Sequence, residues 1–147
     1  MKRPKFLLIL AGICAFATAV FQIVVGFVPE LSVYFGAPPD LLANPNLLIV
    51  ASLGMGAVFA LAGLYGLSGA DLFPRLPLMR LALIVITVAA LYRGIPFFFQ
   101  LPILLKIVKP EVPLPLQAWV SALFALVVAL LYLFGLIFNW IDLGYKK

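Results

Sequence analysis

Residues 81–108 read LALIVITVAALYRGIPFFFQLPILLKIV. The stretch is apolar enough to enter a bilayer, yet it contains Arg93, Gly94, Pro96, Gln100 and Pro102. A hydrocarbon core about 30 Å thick is crossed by about 20 helical residues. These 28 residues would form a helix about 42 Å long, too long for an upright span. The segment must tilt, kink or leave the membrane. Pro96 removes a backbone donor and crowds the carbonyl of Tyr92, and Pro102 does the same to Phe98. The membrane-crossing part is expected over residues 77–95, kinked at Arg93–Pro96, with residues 97–108 as a bent continuation near the surface.

Working outward, three further apolar runs accompany this one, and no room is left for a soluble domain. Of the 147 residues, 66% are hydrophobic and 10% charged, with a mean hydropathy of +1.24. Soluble domains carry about one-quarter charged residues. The expected fold class is therefore all-α: one integral membrane domain, a four-helix bundle with spans at about 6–27, 46–68, 77–95 and 118–140.

Span 1 follows MKRPK and passes through Ala17-Thr18-Ala19, which resembles a signal-peptide cleavage site. Its apolar run continues to Phe27, so an uncleaved span is expected. Ile13, not a small residue, precedes Cys14, which argues against lipoprotein attachment. Ala11, Ala15, Ala19, Gln22 and Gly26 recur at intervals of three and four and share one helical face. Small residues on one face let helices approach closely in lipid, and Gln22 should point at a neighbouring helix. The loop at 28–45 is rich in Pro and Gly and carries Glu30 and Asp40. Asn44-Pro45 is a helix start: a capping side chain, then a proline where no donor is needed.

Span 2 has a second packing stripe, Ser52, Gly56, Ala60 and Gly63, and is expected to end at Gly69. Its glycines lie inside an apolar helix, not in a strand-to-helix turn, so they are no nucleotide fingerprint. Pro77 suits the first turn of span 3. The connector KPEVPLPLQ at 109–117 should be stiff and extended. In span 4, Ser121, Ala125, Ala129, Tyr132 and Asn139 share one side. Trp119 and Trp140 are 21 residues apart, about 31 Å along a helix, the spacing of aromatic anchors at two interfaces.

Basic residues set the expected orientation. With the N-terminus in the cytoplasm, Lys2, Arg3, Lys5, Arg75, Arg80, Lys146 and Lys147 lie inside, and only Lys106 and Lys109 outside. This positive-inside bias places both termini in the cytoplasm. The same distribution at span ends argues against nucleic acid despite the net charge of +5.

The chain has no histidine and a single cysteine, Cys14. That excludes histidine acid–base chemistry, bis-histidine haem and the usual zinc sites, and an intramolecular disulfide. The spans hold no carboxylate pair and no nucleophile beside a base. An enzyme is not expected, nor any metal or cofactor. Counting from Arg80, Arg93 lies 13 residues on, about 20 Å deep, and an ionisable residue at that depth is a candidate site. Gln22 falls at similar depth, with Gln100, Tyr34, Glu30 and Asp40 further out. These six residues are expected to form a polar pocket with Arg93 at its base and the first loop as lid. The fork of Arg donors suits a carboxylate, a phosphate or a quinone carbonyl. The alternative is structural: Arg93 binds carbonyls freed at Pro96, pairs with Glu30 or Asp40, or snorkels to a lipid phosphate.

Gly26 closing span 1, the run GLYGLSG at 63–69 and the step Arg93-Gly94 together resemble the DoxX-like group of small four-span bacterial inner-membrane proteins. That family's Arg near the start of span 1 and Lys after its closing Gly are here apolar residues and Glu30. The resemblance implies the bacterial cytoplasmic membrane and, for some members, a link to quinone or thiol redox systems. The expected role is an accessory or binding protein for a lipid-like or quinone-like molecule, with the bilayer, a second copy or another membrane protein as partner. The alternative is a subunit of a small transporter or membrane redox complex.

Overall fold

A computed structural model describes residues 5–105, 107 and 115–144. All regular structure among them is helical: α1 (Phe6–Phe27), α2 (Pro29–Tyr34), α3 (Pro39–Leu42), α4 (Pro45–Gly69), α5 (Met79–Gly94), α6 (Pro96–Leu104), α7 (Leu116–Asn139) and a 3₁₀ turn at Asp142–Gly144. Phe6–Phe27, Pro45–Gly69, Met79–Ile103 and Leu116–Asn139 are each long and apolar enough to cross a membrane, with mean hydropathies of 2.5, 2.3, 2.0 and 2.7. Helices are the expected answer to lipid, because each satisfies its own backbone groups. Val20, Val50 and Val85 are about 60% exposed on the bundle exterior, where a soluble protein would place charge. The protein is a multi-pass membrane protein.

The bundle consists of two antiparallel pairs, α1 with α4 and α5 with α7, joined where α1 meets α7. Glycine makes the first pair close. A Cβ on Gly66 would stand 2.9 Å from Gly12 Cα, and one on Gly56 would stand 2.9 Å from Ile23 Cγ1. One on Gly26 would overlap the side chain of Ser52. Of the expected packing residues, Ala15, Ala19, Gly56, Gly63 and Ala129 are buried, while Ala60 and Ala125 are half-buried. Leu8 is fully buried against Gly135, joining α1 to α7, and packs in one core with Ala11, Ala15, Leu83, Tyr132 and Leu136. The buried Tyr132 hydroxyl donates to the Ala62 carbonyl at 2.8 Å, tying α7 to α4.

Several local expectations are refined. Asn44 caps α4 by accepting from the Leu47 amide at 3.3 Å, with Pro45 at the first helical position. At the other end Gly69 is the last helical residue, and Asp71 takes the left-handed turn at φ 62. The Leu72 amide donates to the Leu67 carbonyl and the Asp71 amide to that of Ser68, the Schellman arrangement. Asp tolerates this conformation through its short polar side chain. Pro77 does not open α5: the helix begins at Met79, after Leu78 at φ 53, and the Pro77 carbonyl instead accepts from Tyr65 at 3.2 Å. Buried Ser68 holds the same loop, donating to the Pro74 carbonyl and accepting from the Leu76 amide. The first loop holds the short helices α2 and α3. Ser32, fully buried, folds α2 back onto the Val25 carbonyl, and Gln117 of α7 donates to the Tyr34 carbonyl at 2.9 Å. Residues 109–114 of the expected connector, Lys106, Val108 and the terminal basic residues Lys2, Arg3, Lys146 and Lys147 lie outside the described residues.

Candidate functional site

The depth of Arg93 follows from the register of α5 on α7. At one end Arg80 donates from Nε and Nη2 to the Trp140 carbonyl, at 3.2 and 2.8 Å. Its guanidinium also lies 4.7 Å from the centroid of the Trp140 ring. Fourteen residues further along each helix, Gly94 lies against Leu126, whose Cα a Cβ at 94 would approach to 2.8 Å. Leu126 is ten residues from the start of α7 and thirteen from its end, or about 15 and about 20 Å. Arg93, beside Gly94, is therefore level with the middle of a membrane-length helix. It faces outward and is exposed.

The chain breaks its helical ladder at this level. Ile95, between α5 and α6, keeps right-handed helical angles (φ −52, ψ −41), and its amide still donates to the Leu91 carbonyl at 2.8 Å. Pro96 then has no N–H to offer the Tyr92 carbonyl. Arg93 occupies the last turn of α5, where a cation is favoured by the helix dipole. Beyond the break α6 continues against α7. Residues 97–103, part of the 97–108 stretch expected near the surface, thus extend α5 into the single membrane-length segment Met79–Ile103.

An open-sided groove of about 460 Å³ lies along this break, with Tyr92, Pro96, Phe99 and Ile103 as apolar walls and Arg93 and Gln100 as its polar groups. Arg93 and Gln100 are seven residues apart, two turns on one face. That spacing was readable in the sequence; the apolar walls, supplied by the same short segment, were not. Gln100 Oε1 is buried without a hydrogen-bond partner. Arg93 makes no hydrogen bond or ion pair among the described residues. None of the groove's lining comes from the first loop or α1. Tyr34, Glu30 and Asp40 are exposed on α2 and α3, and half-buried Gln22 on α1 makes no side-chain hydrogen bond among the described residues. The structure thus joins Arg93 to Gln100 and leaves the other four expected residues apart. Of the expected anchors, Trp119 is half-buried and Trp140 is 42% exposed beneath Arg80.

No group of three or more metal-ligating side chains occurs among the described residues. Cys14 is free and half-buried. The arrangement offers one fixed cation, one unsatisfied amide oxygen and an apolar trough open to the side. That is a binding chemistry. Comparison with family models, curated proteins and solved structures finds no match, so the site's own geometry must carry the functional reading.

Proposed function

We propose that this is a non-enzymatic protein of a bacterial cytoplasmic membrane that binds a lipid-like or quinone-like amphiphile in the Arg93–Gln100 groove. Both termini face the cytoplasm, in keeping with the excess of Lys and Arg at the N- and C-terminal ends and in the α4–α5 loop. The third span bends at Arg93–Pro96 and so opens the groove laterally to lipid. One observation carries the reading: an exposed Arg with no partner among the described residues, at mid-helix depth beside a trough of apolar and aromatic side chains. An Arg at the centre of a bilayer costs at least about 2.5–3.5 kcal/mol, and a bound polar group offsets that cost. The DoxX-like resemblance supports the reading as far as architecture. The second reading, a subunit of a small transporter or redox complex, draws on the same exposed Arg, which a partner helix could cover.

Native mass spectrometry of the protein extracted in mild detergent, beside Arg93→Ala, tests this. The expected result is an adduct of defined mass on the wild type and none on the variant. A bare wild-type chain, or an adduct that persists on the variant, would sink the proposal.

A further inference from the structure

The ligand reading leaves the chemical class of the polar group open, and the distribution of charge narrows it. Arg93 puts a guanidinium cation at this level. The chain has five acidic residues, Glu30, Asp40, Asp71, Glu111 and Asp142, and none lies within the four membrane-length segments. Glu30 and Asp40 are on the helices of the first loop. Asp71 is engaged with Lys5 and Arg75. A second copy of the chain, lying parallel in the same membrane, brings the same acids at the same levels and cannot supply an anion at the level of Leu126. A neutral carbonyl occupies one donor of the fork and leaves the charge uncompensated. The missing partner is a negative charge that enters from the lipid.

The groove limits what carries that charge. All its walls come from one helical segment, residues 92–103, and it is open along one side. It is a trough for one chain lying along the helix, not a chamber for a bulky headgroup. Arg93 is set about 15 Å below the start of α7, deeper than the phosphates of a resting bilayer, and Gln100 lies two turns, about 10 Å, nearer that end. A carboxylate ending a single long hydrocarbon tail matches both features: it is planar, takes two parallel hydrogen bonds from an Arg fork, and its tail lies on Pro96, Phe99 and Ile103. Gln100 lies on the same face of the groove, and its amide Nε2–H is a donor that a carboxylate accepts from. We infer that the groove binds a long-chain fatty acid as its carboxylate, held by Arg93 with Gln100 beside it. The inference rests on the ligand reading above and sharpens it.

The test uses the full chain in a neutral detergent, titrated with oleate, methyl oleate, a phosphatidic acid or decylubiquinone, with bound ligand counted by native mass spectrometry. Oleate should bind at least about tenfold more tightly than methyl oleate, the same tail without the charge, because a charge-assisted hydrogen bond is worth about 1.5–3 kcal/mol. Arg93→Gln should abolish that preference and Gln100→Leu should weaken it. Gln100→Leu keeps the test open if the Arg93 variant does not assemble. Equal binding of oleate and methyl oleate, tighter binding of decylubiquinone, or tighter binding of the two-tailed phosphatidic acid would each overturn the fatty-acid inference while sustaining a lipid-like ligand. Binding of none of the four, or purification of the wild type with a second membrane protein over Arg93, would overturn both.

Discussion

Along α1 and α4, Gly12, Gly56, Gly63 and Gly66 each face a neighbour that stands within about 3 Å of where a Cβ would be. Along α5 and α6 only Gly94 does so, against Leu126, and one residue away the helix turns Arg93 outward and stops hydrogen-bonding at Pro96. The two pairs are clasped at the same end by different means, Lys5 with Asp71 for the first and Arg80 with Trp140 for the second. Beyond the clasp they diverge. The first pair stays zipped to its far end, where Gly26 meets Ser52. The second exchanges packing for an interrupted backbone and a polar groove. In lipid there is no hydrophobic force between helices, so close packing must hold them. A bundle that leaves one edge loosely satisfied therefore needs its other edge to be tight.

The sharpest way to break this contrast is at Gly66. A side chain there meets Gly12 Cα at 2.9 Å, Gly12 N at 3.0 Å and the Leu8 carbonyl at 3.1 Å, all backbone atoms that cannot rotate away. Gly66→Leu should force α1 off α4 at a cost of about 3 kcal/mol, the upper range of overpacking, read as a collapse of the melting temperature by circular dichroism in detergent. Gly54 is on the same helix with nothing within 4 Å of its Cβ direction. Gly54→Leu should leave the melt unchanged or raise it slightly, since leucine is the better helix former by about 0.8 kcal/mol. Equal losses at the two positions would mean that the seam is not what holds the pair.

The clasp of the second pair comes next. Arg80→Gln removes two hydrogen bonds to the Trp140 carbonyl and the cation over its ring. We expect a loss of about 1–2 kcal/mol, smaller than at Gly66, and with it a looser register of Gly94 on Leu126. Intrinsic fluorescence of Trp140 should shift in the variant. A melt that drops as far as that of Gly66→Leu would place the main support of the bundle at the wrong edge.

How far the sequence shows all this depends on whether the signal is local. Spans 1, 2 and 4, the small-residue faces and the Asn44 cap are written in contiguous residues with helical spacing, and they appear in the structure within one or two residues; the third membrane-length segment runs eight residues past its expected end, to Ile103. The pairing order is not local, and α1 choosing both α4 and α7 could not be read from hydropathy that is uniformly high. The turns escaped for a related reason. Gly69 does end α4, as its place after the apolar run suggests, but the left-handed position falls two residues later on Asp71, whose carboxylate reaches Lys5, 66 residues away. At the site, the break at Pro96 and the Arg93–Gln100 pair were legible. Gln22, Tyr34, Glu30 and Asp40 were grouped with them by depth alone, and depth does not say which side of a bundle a residue faces.

The smallest effect lies at the clasp of the first pair, and its pH dependence has a definite sign. The hydrogen bond from Lys5 holds the Asp71 carboxyl below its ordinary range against the opposing effect of burial, and Lys5 and Arg75 add charge attraction. A carboxyl whose folded-state value is lower than its unfolded value contributes stability that is present above the unfolded value and is lost as pH falls through the folded one. Acidification through the carboxylate range should therefore lower the melting temperature of the wild type. Asp71→Asn keeps a residue suited to φ 62 but removes the charge, so it should flatten that decline while costing little at neutral pH. Because the side chains of Asp71, Lys5 and Arg75 are 43%, 39% and 36% exposed, the cost should stay within the range of exposed pairs, about 0.2–1 kcal/mol, and shrink further in high salt. The flattening separates the two jobs of the residue. If Asp71→Asn melts far lower at neutral pH and retains the acid sensitivity, the left-handed turn rather than the ion pair is what Asp71 provides, and the clasp of the first pair is steric like the rest of its seam.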